Sequence, residues 1–221
     1  MSCASLPVSG QVSSPYGWRW LNGRSDLHTG VDIGAPEGTP VYALLPGRVV
    51  VAAPAGTLSG YGNVVVLQHG PALFSLYAHL SAVHVLEGQG LSSGAELGLV
   101  GRTAGTRDDP GRLFEVSGAH LHLELLSAWP PAGRDLDRID PAVALPSLGI
   151  IVPTHGPLLQ TADCSSGPSS PAARAYGDSP LASRGASASS VARAGAGGLF
   201  VLAALFLYLK SKRRDSESRA A

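Results

Sequence analysis

The chain has 221 residues, room for one ordinary domain plus tails. Only 14% of them are charged, and 16 basic side chains balance 16 acidic ones, which excludes the clearly basic surface that nucleic-acid binding needs. With 28 glycines and 17 prolines, the composition argues against a helical protein and fits an extracytoplasmic β protein.

The opening MSCASLPVSGQVSSPYG has no charged n-region and no apolar h-region, so no ordinary secretory signal is visible. Cys3 is for the same reason no lipobox cysteine. Neither it nor Cys164 has metal-ligand spacing, and nothing in the pattern indicates that they pair. In LHTGVD, Gly30, β-branched Val31 and Ile33, Gly34 and Pro36 disfavour a helix. An extended run is expected there, and its even offset puts His28 and Asp32 on one face. Val41–Leu45 and Arg48–Ala53 read as strands, with Pro46–Gly47 as the middle of a type II turn, since Pro fixes φ and Gly accepts a positive one. Gly60-Tyr61-Gly62 bends the chain before a strand at Asn63–Gln68, and further strands follow at Phe74–His79 and Leu121–Leu126. The one helix start is Asp140-Pro141, an N-cap with Pro at N1, and that helix is short. The expected fold is all-β: a compact, mostly antiparallel sheet or sandwich over residues 10–150.

After Pro146 the character changes. Residues 151–193 are expected to form a linker, dominated from Thr161 to Arg193 by Ser, Ala, Gly and Pro, which cannot bury enough surface to fold. As a flexible coil that stretch spans about 30 Å, with a limit of about 110 Å when straight. Residues 194–209, AGAGGLFVLAALFLYL, carry no charge. As a helix they measure about 24 Å, and about 28 Å counted from Val191 with Arg193 snorkelling, against a bilayer core of about 30 Å. A buried core helix would need a core to join, and none lies beyond the linker. A single transmembrane helix is therefore expected, with Tyr208 at the interface. Residues 210–221, with Lys210, Lys212, Arg213 and Arg214, then form a basic cytoplasmic tail, which places the domain on the periplasmic or cell-wall side. The missing signal leaves the export route open, and a phage-encoded or virion-associated location or a place in an envelope-spanning secretion or conjugation machine is the alternative.

Four histidines and one aspartate carry the chemistry: His28 and Asp32 in LHTGVD, His79 in YAHLS, and His120 and His122 in GAHLHLEL. Residues two apart on a strand share a face, so both imidazoles of His120-Leu121-His122 look into one cavity. Two imidazoles and a carboxylate are the protein ligands of a catalytic zinc, with the fourth position left for water, whereas a structural zinc closes with a fourth ligand, usually cysteine. Spacing alone leaves open which of His120 and His122 is the ligand. Taken singly, each pattern is also compatible with hydrogen-bonded histidines in half-buried strands.

The segments LHTGVDIGAPEGTPVYA, PGRVVVA, GYGNVVVLQHG, YAHLS and AHLHLEL, in this order, resemble the lysostaphin/LytM-type peptidoglycan metalloendopeptidases, over about Tyr16 to Pro141. The resemblance implies one zinc held by His28, Asp32 and His122, with His120 and His79 acting as catalytic groups beside it. It implies peptidoglycan stems and cross-bridges as substrate. A departure lies between Gly101 and His120, where RTAGTRDDPGRLFEVSGA replaces a short Gly/Thr-rich turn and is expected to form a loop on the rim of the groove.

Three function classes compete. A membrane-tethered zinc endopeptidase cutting peptidoglycan cross-links is the favoured one. A non-catalytic domain that binds peptidoglycan or activates another wall hydrolase is the alternative, although such members lose ligands and this chain keeps them. A lipoyl- or biotinyl-type carrier needs a lysine at a hairpin tip, and the only lysines are Lys210 and Lys212. Glu115 and Glu124 are isolated carboxylates that give no glycosidase pair, Glu124 being read as an outward or supporting strand residue. His69 reads as a turn residue, His84 and His155 lack a partner pattern, and Asn63 reads as a turn cap beside the groove.

Overall fold

Val64, Val65, Val66 and Leu67 are all fully buried, so the strand that carries them is covered on both faces. This strand lies near the middle of the main sheet in the computed structural model, which describes residues 4–160 apart from 22, 56, 59, 107, 108 and 132–136. The expected transmembrane helix and basic tail, the Thr161–Arg193 part of the linker, and both cysteines lie outside the described residues. Among the described residues no helix is long and apolar enough to cross a membrane.

Eight strands come first: β1 (Gln11–Ser14), β2 (Gly17–Leu21), β3 (Arg24–His28), β4 (Val31–Gly34), β5 (Pro40–Tyr42), β6 (Gly47–Ala53), β7 (Asn63–Gly70) and β8 (Leu73–Leu80). Short strands β9 (Ala82–Val83), β10 (Gly90–Leu91) and β11 (Glu96–Leu99) follow, then β12 (Gly101–Thr106), the long β13 (Asp109–Leu126) and β14 (Arg138–Ile139). Helix α1 (Pro141–Ala144), a 3-10 turn at Leu145–Leu148, and strands β15 (Ile150–Ile151), β16 (Gly156–Pro157) and β17 (Leu159–Gln160) end the described chain. The main sheet runs β10-β6-β7-β8-β13-β4-β1-β16, with β12 and β14 also paired to β13. All of its pairings are antiparallel.

Directly paired residues project from the same side of a sheet. One face therefore carries Asp32, His122 and Ala78 abreast on β4, β13 and β8, with Glu124 beside Leu76 and Leu126 beside Phe74. Ala53, Val64, Val66, Phe74, Leu76, Ala78 and Leu126 form an apolar cluster there, and Leu58, Tyr61 and Trp129 pack on it. The opposite face presents Ile33, Leu121, Leu123 and Tyr77, all fully buried. The three-stranded sheet β5-β11-β9 is tied to that side through Tyr77, whose hydroxyl accepts the backbone N–H of Leu44 at 2.9 Å. Each such buried Leu or Ile contributes about 2 kcal/mol of hydrophobic stabilisation.

The expected short helix is present: Asp140 caps α1, its side chain accepting the Ala142 N–H at 2.8 Å, and Gly149 ends the following 3-10 turn at φ 81°. The turn expected at Pro46-Gly47 needs correction. Gly47 is not in the positive-φ half of a type II turn; it opens β6 and its φ is not positive. Glycine is needed there for close approach, because a Cβ would meet the Gln68 carbonyl oxygen at 2.7 Å and His69 Nδ1 at 2.8 Å. Between Gly101 and His120, where a loop is expected, the described residues form strands. Thr103 faces Glu115, Ala104 faces Phe114 and Gly105 faces Leu113, so their backbone forms a β-hairpin of β12 and β13 with a bulge before His120.

Packing extends past both expected domain limits. Ala4 and Val8 are buried, and the Tyr42 N–H bonds the Pro7 carbonyl at 2.8 Å. At the other end, β15 pairs with β17 and Leu158 is buried, within a stretch whose composition reads as linker. Strands β2 and β3 form a separate hairpin that leads straight into the functional face. Its outer side exposes Trp18 and Trp20, 70% and 76% accessible, while Arg19 on the other side pairs with Asp26 at 3.1 Å.

Candidate metal centre

His28 and Asp32 do not share one extended strand as expected. His28 ends β3, Asp32 lies in β4, and Thr29–Gly30 turns the chain between the two sheets. The turn brings the side chains together, with His28 Nε2 at 3.0 Å from Asp32 Oδ1. Gly30 permits it, since a Cβ there would run into the Leu123 carbonyl oxygen and stand 3.0 Å from both Glu124 Cγ and His122 Cε1. His122 is the cross-strand partner of Asp32, which sets its Nδ1 at 2.8 Å from Asp32 Oδ1 and 3.2 Å from His28 Nε2. His120 instead lies opposite Gly34, and its Nε2 stays 3.6 Å from Asp32 Oδ1.

His28, Asp32 and His122 thus offer one ligand atom each, all within 4.8 Å of one another. Around a tetrahedral zinc with bonds of about 2.0–2.1 Å, neighbouring ligand atoms stand about 3.3 Å apart. The contacts of 3.0, 2.8 and 3.2 Å lie within about half an ångström of that spacing. Both imidazoles also commit their far nitrogen elsewhere. His28 Nδ1–H donates to the Pro15 carbonyl at 2.7 Å, and His122 Nε2–H donates to Glu124 Oε1 at 3.1 Å. The donor set and its tautomers therefore fit a divalent cation such as zinc.

The electrostatics follow from burial and close partners. Burial alone would raise the Asp32 carboxyl, but hydrogen bonds to His122 and His28 hold it well below the usual carboxylate range. Burial likewise pulls His122 down, and is outweighed by its hydrogen bonds to Asp32 and Glu124, which push the imidazole up to about 9. A cation entering the site displaces that proton, so metal uptake and proton release are linked. Glu124 stays ionised despite burial because His122 and Arg138 lie against it.

Two more imidazoles complete the cluster. The His79 ring centroid lies 4.9 Å from that of His120 and 5.7 Å from that of His122. His79 sits at φ 65°, a backbone conformation that costs a side-chain-bearing residue about 1–3 kcal/mol. Its backbone N–H is held by the Tyr61 carbonyl at 2.8 Å, and its Nδ1–H by the Thr103 carbonyl at 2.8 Å. Burial, followed by the neighbouring His122 and His120, pushes its pKa down to about 4, so the ring is neutral at pH 7 with Nε2 as its acceptor. His120 Nδ1–H donates to the Gly118 carbonyl at 2.8 Å, which leaves Nε2 turned toward Asp32.

All five residues singled out in the sequence meet here. The other histidines are engaged elsewhere: His69 with the Pro46 carbonyl and Ser75 Oγ, and His84 with Glu96 at 2.8 Å, while His155 is exposed. Asn63 caps the strand ends as expected, its amide donating to the Leu80 carbonyl and accepting the Ala55 N–H, each at 2.8 Å. Sequence reading missed Arg19, whose Nη1 reaches Asp32 Oδ2 at 3.6 Å, and it missed Thr29, Tyr61 and Arg138 around Glu124. Only Glu124 left a signal, its two-residue offset from His122 on one strand face.

Residues 26–137 match the model of peptidase family M23. Among curated proteins, the DD-carboxypeptidase/endopeptidase Mpg of Neisseria meningitidis serogroup B is 38% identical over 52% of this chain and 24% of its own length. The peptidoglycan DD-endopeptidase ShyA of Vibrio cholerae is 38% identical over 54% of this chain and 25% of its own. The chain thus spans about a quarter of the length of these relatives. Lysostaphin from Staphylococcus simulans shares the fold, with a TM-score of 0.51 at 24% identity over 67% of this chain and 54% of that one. The matched segment holds His28, Asp32, His79, His120 and His122, and the chain belongs to peptidase family M23.

Proposed function

We propose that the domain hydrolyses peptide cross-links of bacterial peptidoglycan, using one zinc ion per chain held by His28, Asp32 and His122. The observation that carries this reading is the convergence of His28 Nε2, Asp32 Oδ1 and His122 Nδ1 at zinc-ligand spacing, with both far ring nitrogens already bonded. The substrate class rests on the relatives, one of which is named as a peptidoglycan DD-endopeptidase. Zinc held there supplies Lewis acidity toward the scissile carbonyl and acidifies a water to a pKa of about 7.

The chain's own residues do the rest. His79, neutral and locked through Nδ1–H, presents the Nε2 lone pair as a proton acceptor. His120, locked through Nδ1–H on Gly118, presents its Nε2 from the other side, to hydrogen-bond the developing oxyanion or protonate the departing amine. No serine or cysteine nucleophile is required. The complete donor set weighs against a purely activating or binding role.

The proposal includes a tether. The uncharged stretch 194–209 followed by the basic residues 210–214 supports a single span that keeps the domain on the wall side. An external protease acting on intact cells that express the full chain checks the orientation: the domain should be shed, and protection until lysis would refute it. The activity is tested by incubating the full chain in detergent with purified cell walls and analysing the muropeptides by mass spectrometry. Cross-linked dimers should be converted to monomers, lost on chelation and regained with zinc. Unchanged dimers in the zinc-loaded sample would overturn the reading.

A further inference from the structure

The most elaborate polar arrangement outside the ligand set lies directly beneath it. Glu124 is fully buried, and a carboxylate in that position needs hydrogen bonds on both oxygens to remain charged. Oε1 accepts from three donors: Thr29 Oγ1 at 2.5 Å, the Tyr61 hydroxyl at 2.9 Å and His122 Nε2–H at 3.1 Å. Oε2 accepts from Arg138 Nε at 3.0 Å, and Arg138 Nη2 donates to the Tyr61 hydroxyl at 3.1 Å. The four supporting groups come from different places in the chain: the β3–β4 turn, the bend before β7, β13 itself, and β14.

From this geometry we infer that Glu124 is a positioning residue: anchored by Thr29, Tyr61 and Arg138, it fixes the ring orientation and tautomer of His122, so that Nδ1 faces the metal. The inference rests on the zinc reading above and deepens it. An imidazole that donates one N–H to a carboxylate is a stronger ligand through its other nitrogen, and it is spared the rotamer and tautomer search before binding. Without that acceptor, the His122 ring is free to carry its proton on Nδ1, the wrong nitrogen. Register explains why this residue can serve. Glu124 follows His122 by two positions on β13 and shares its face, so the carboxylate lies under the ring, away from the open side where His120 stands.

Tyr61 extends the same network to the other half of the site. Its hydroxyl holds Glu124, while its carbonyl holds the backbone N–H of His79. One residue thereby sets both the ligand imidazole and the strained backbone of the imidazole beside it.

The test uses the full chain and the metal itself. Zinc affinity of the wild type and of Glu124→Gln is measured by competition with a chromophoric chelator. Thermal unfolding of the metal-free proteins runs in parallel, and imidazole 15N shifts recorded at about pH 10, above the value of about 9 at which His122 gives up its second proton, report the His122 tautomer. Glu124→Gln is expected to weaken zinc binding about 10–100-fold, the range for removal of such a partner, and to shift the tautomer away from Nε2–H. An unchanged zinc affinity in a folded Glu124→Gln protein would overturn the inference. So would a weaker affinity with the tautomer unaltered, which is what a merely structural role produces. If Glu124→Gln does not fold, Thr29→Val and Tyr61→Phe decide: weaker zinc binding in the folded variants supports the inference, and wild-type affinity in both removes it. A wild type that takes up no zinc would instead bring down the metal reading, an outcome distinct from wild-type binding that Glu124→Gln leaves untouched.

Discussion

Gly30→Ala isolates the close approach on which the site depends. Gly30 has no positive φ, so alanine meets no backbone strain and the whole effect is steric. The added Cβ runs into the Leu123 carbonyl oxygen and stands 3.0 Å from Glu124 Cγ and His122 Cε1. A backbone oxygen in a central strand cannot swing aside, so β13 must move relative to the turn by several tenths of an ångström. Overpacking of this kind costs about 2 kcal/mol, within a range of about 1–3. For a domain of this size that lowers Tm by about 4–8 °C. The control is Gly70→Ala, where a Cβ meets nothing within 4 Å and φ is not positive. Its effect should stay within about 0.5 kcal/mol. Both are measured by thermal unfolding in excess chelator, so that metal binding does not contribute. Because the displaced strand carries His122, zinc affinity should fall in Gly30→Ala and not in Gly70→Ala. Equal Tm values for Gly30→Ala and wild type would show that the turn and β13 are not in the contact described.

His28→Ala, Asp32→Ala and His122→Ala should each lose zinc together with activity, and full occupancy in all three by metal analysis would refute the ligand assignment. His79→Ala and His120→Ala should retain most of the metal while turnover drops by at least about 10²-fold, and near-normal rates in both would remove their proposed role. Activity should fall below about pH 6 as protons compete with zinc for imidazole nitrogen, so a flat profile down to about pH 4.5 contradicts the site. At the alkaline end, burial raises the Tyr77 hydroxyl to about 12 in the folded chain. Its neutral form therefore adds stability that is fully present below the unfolded value of about 10 and is lost as pH rises toward 12, by an amount on the order of 2 kcal/mol. In urea titrations between pH 9 and 12, Tyr77→Phe should show a shallower decline than wild type, from a lower start because the Leu44 N–H loses its acceptor.

The sequence made the period-2 features legible. His120 and His122 share a face because strands alternate, and the short capped helix at Asp140-Pro141 follows from local chemistry alone. Where partners come from distant strands, the pattern was silent. His122 rather than His120 opposes Asp32 because of the β4–β13 register, which no local spacing encodes. Pro46-Gly47 resembles a type II turn because a glycine kept for close approach looks the same in sequence as one kept for positive φ. The break between His28 and Asp32 is of the same kind, since Gly30 is dictated by Leu123 and His122, far along the chain. Tyr61, Thr29 and Arg138 carried no signal because each is an ordinary residue until the sheet brings it to Glu124.

The distance along the chain between the ligands has a bearing on how the protein comes to hold metal at all. His28 and His122 are 94 residues apart, and Asp32 and His122 are 90 apart. Closing a loop of that length is entropically costly, and in the folded chain the pairing of β13 with β4 offsets it. In synthesis His28 and Asp32 precede His122 by some 90 residues, so the third ligand is missing until β13 has been made. A cation bound by all three ligands therefore stabilises only chains in which β13 has paired with β4, and it does so by an amount that grows with the logarithm of the free metal concentration.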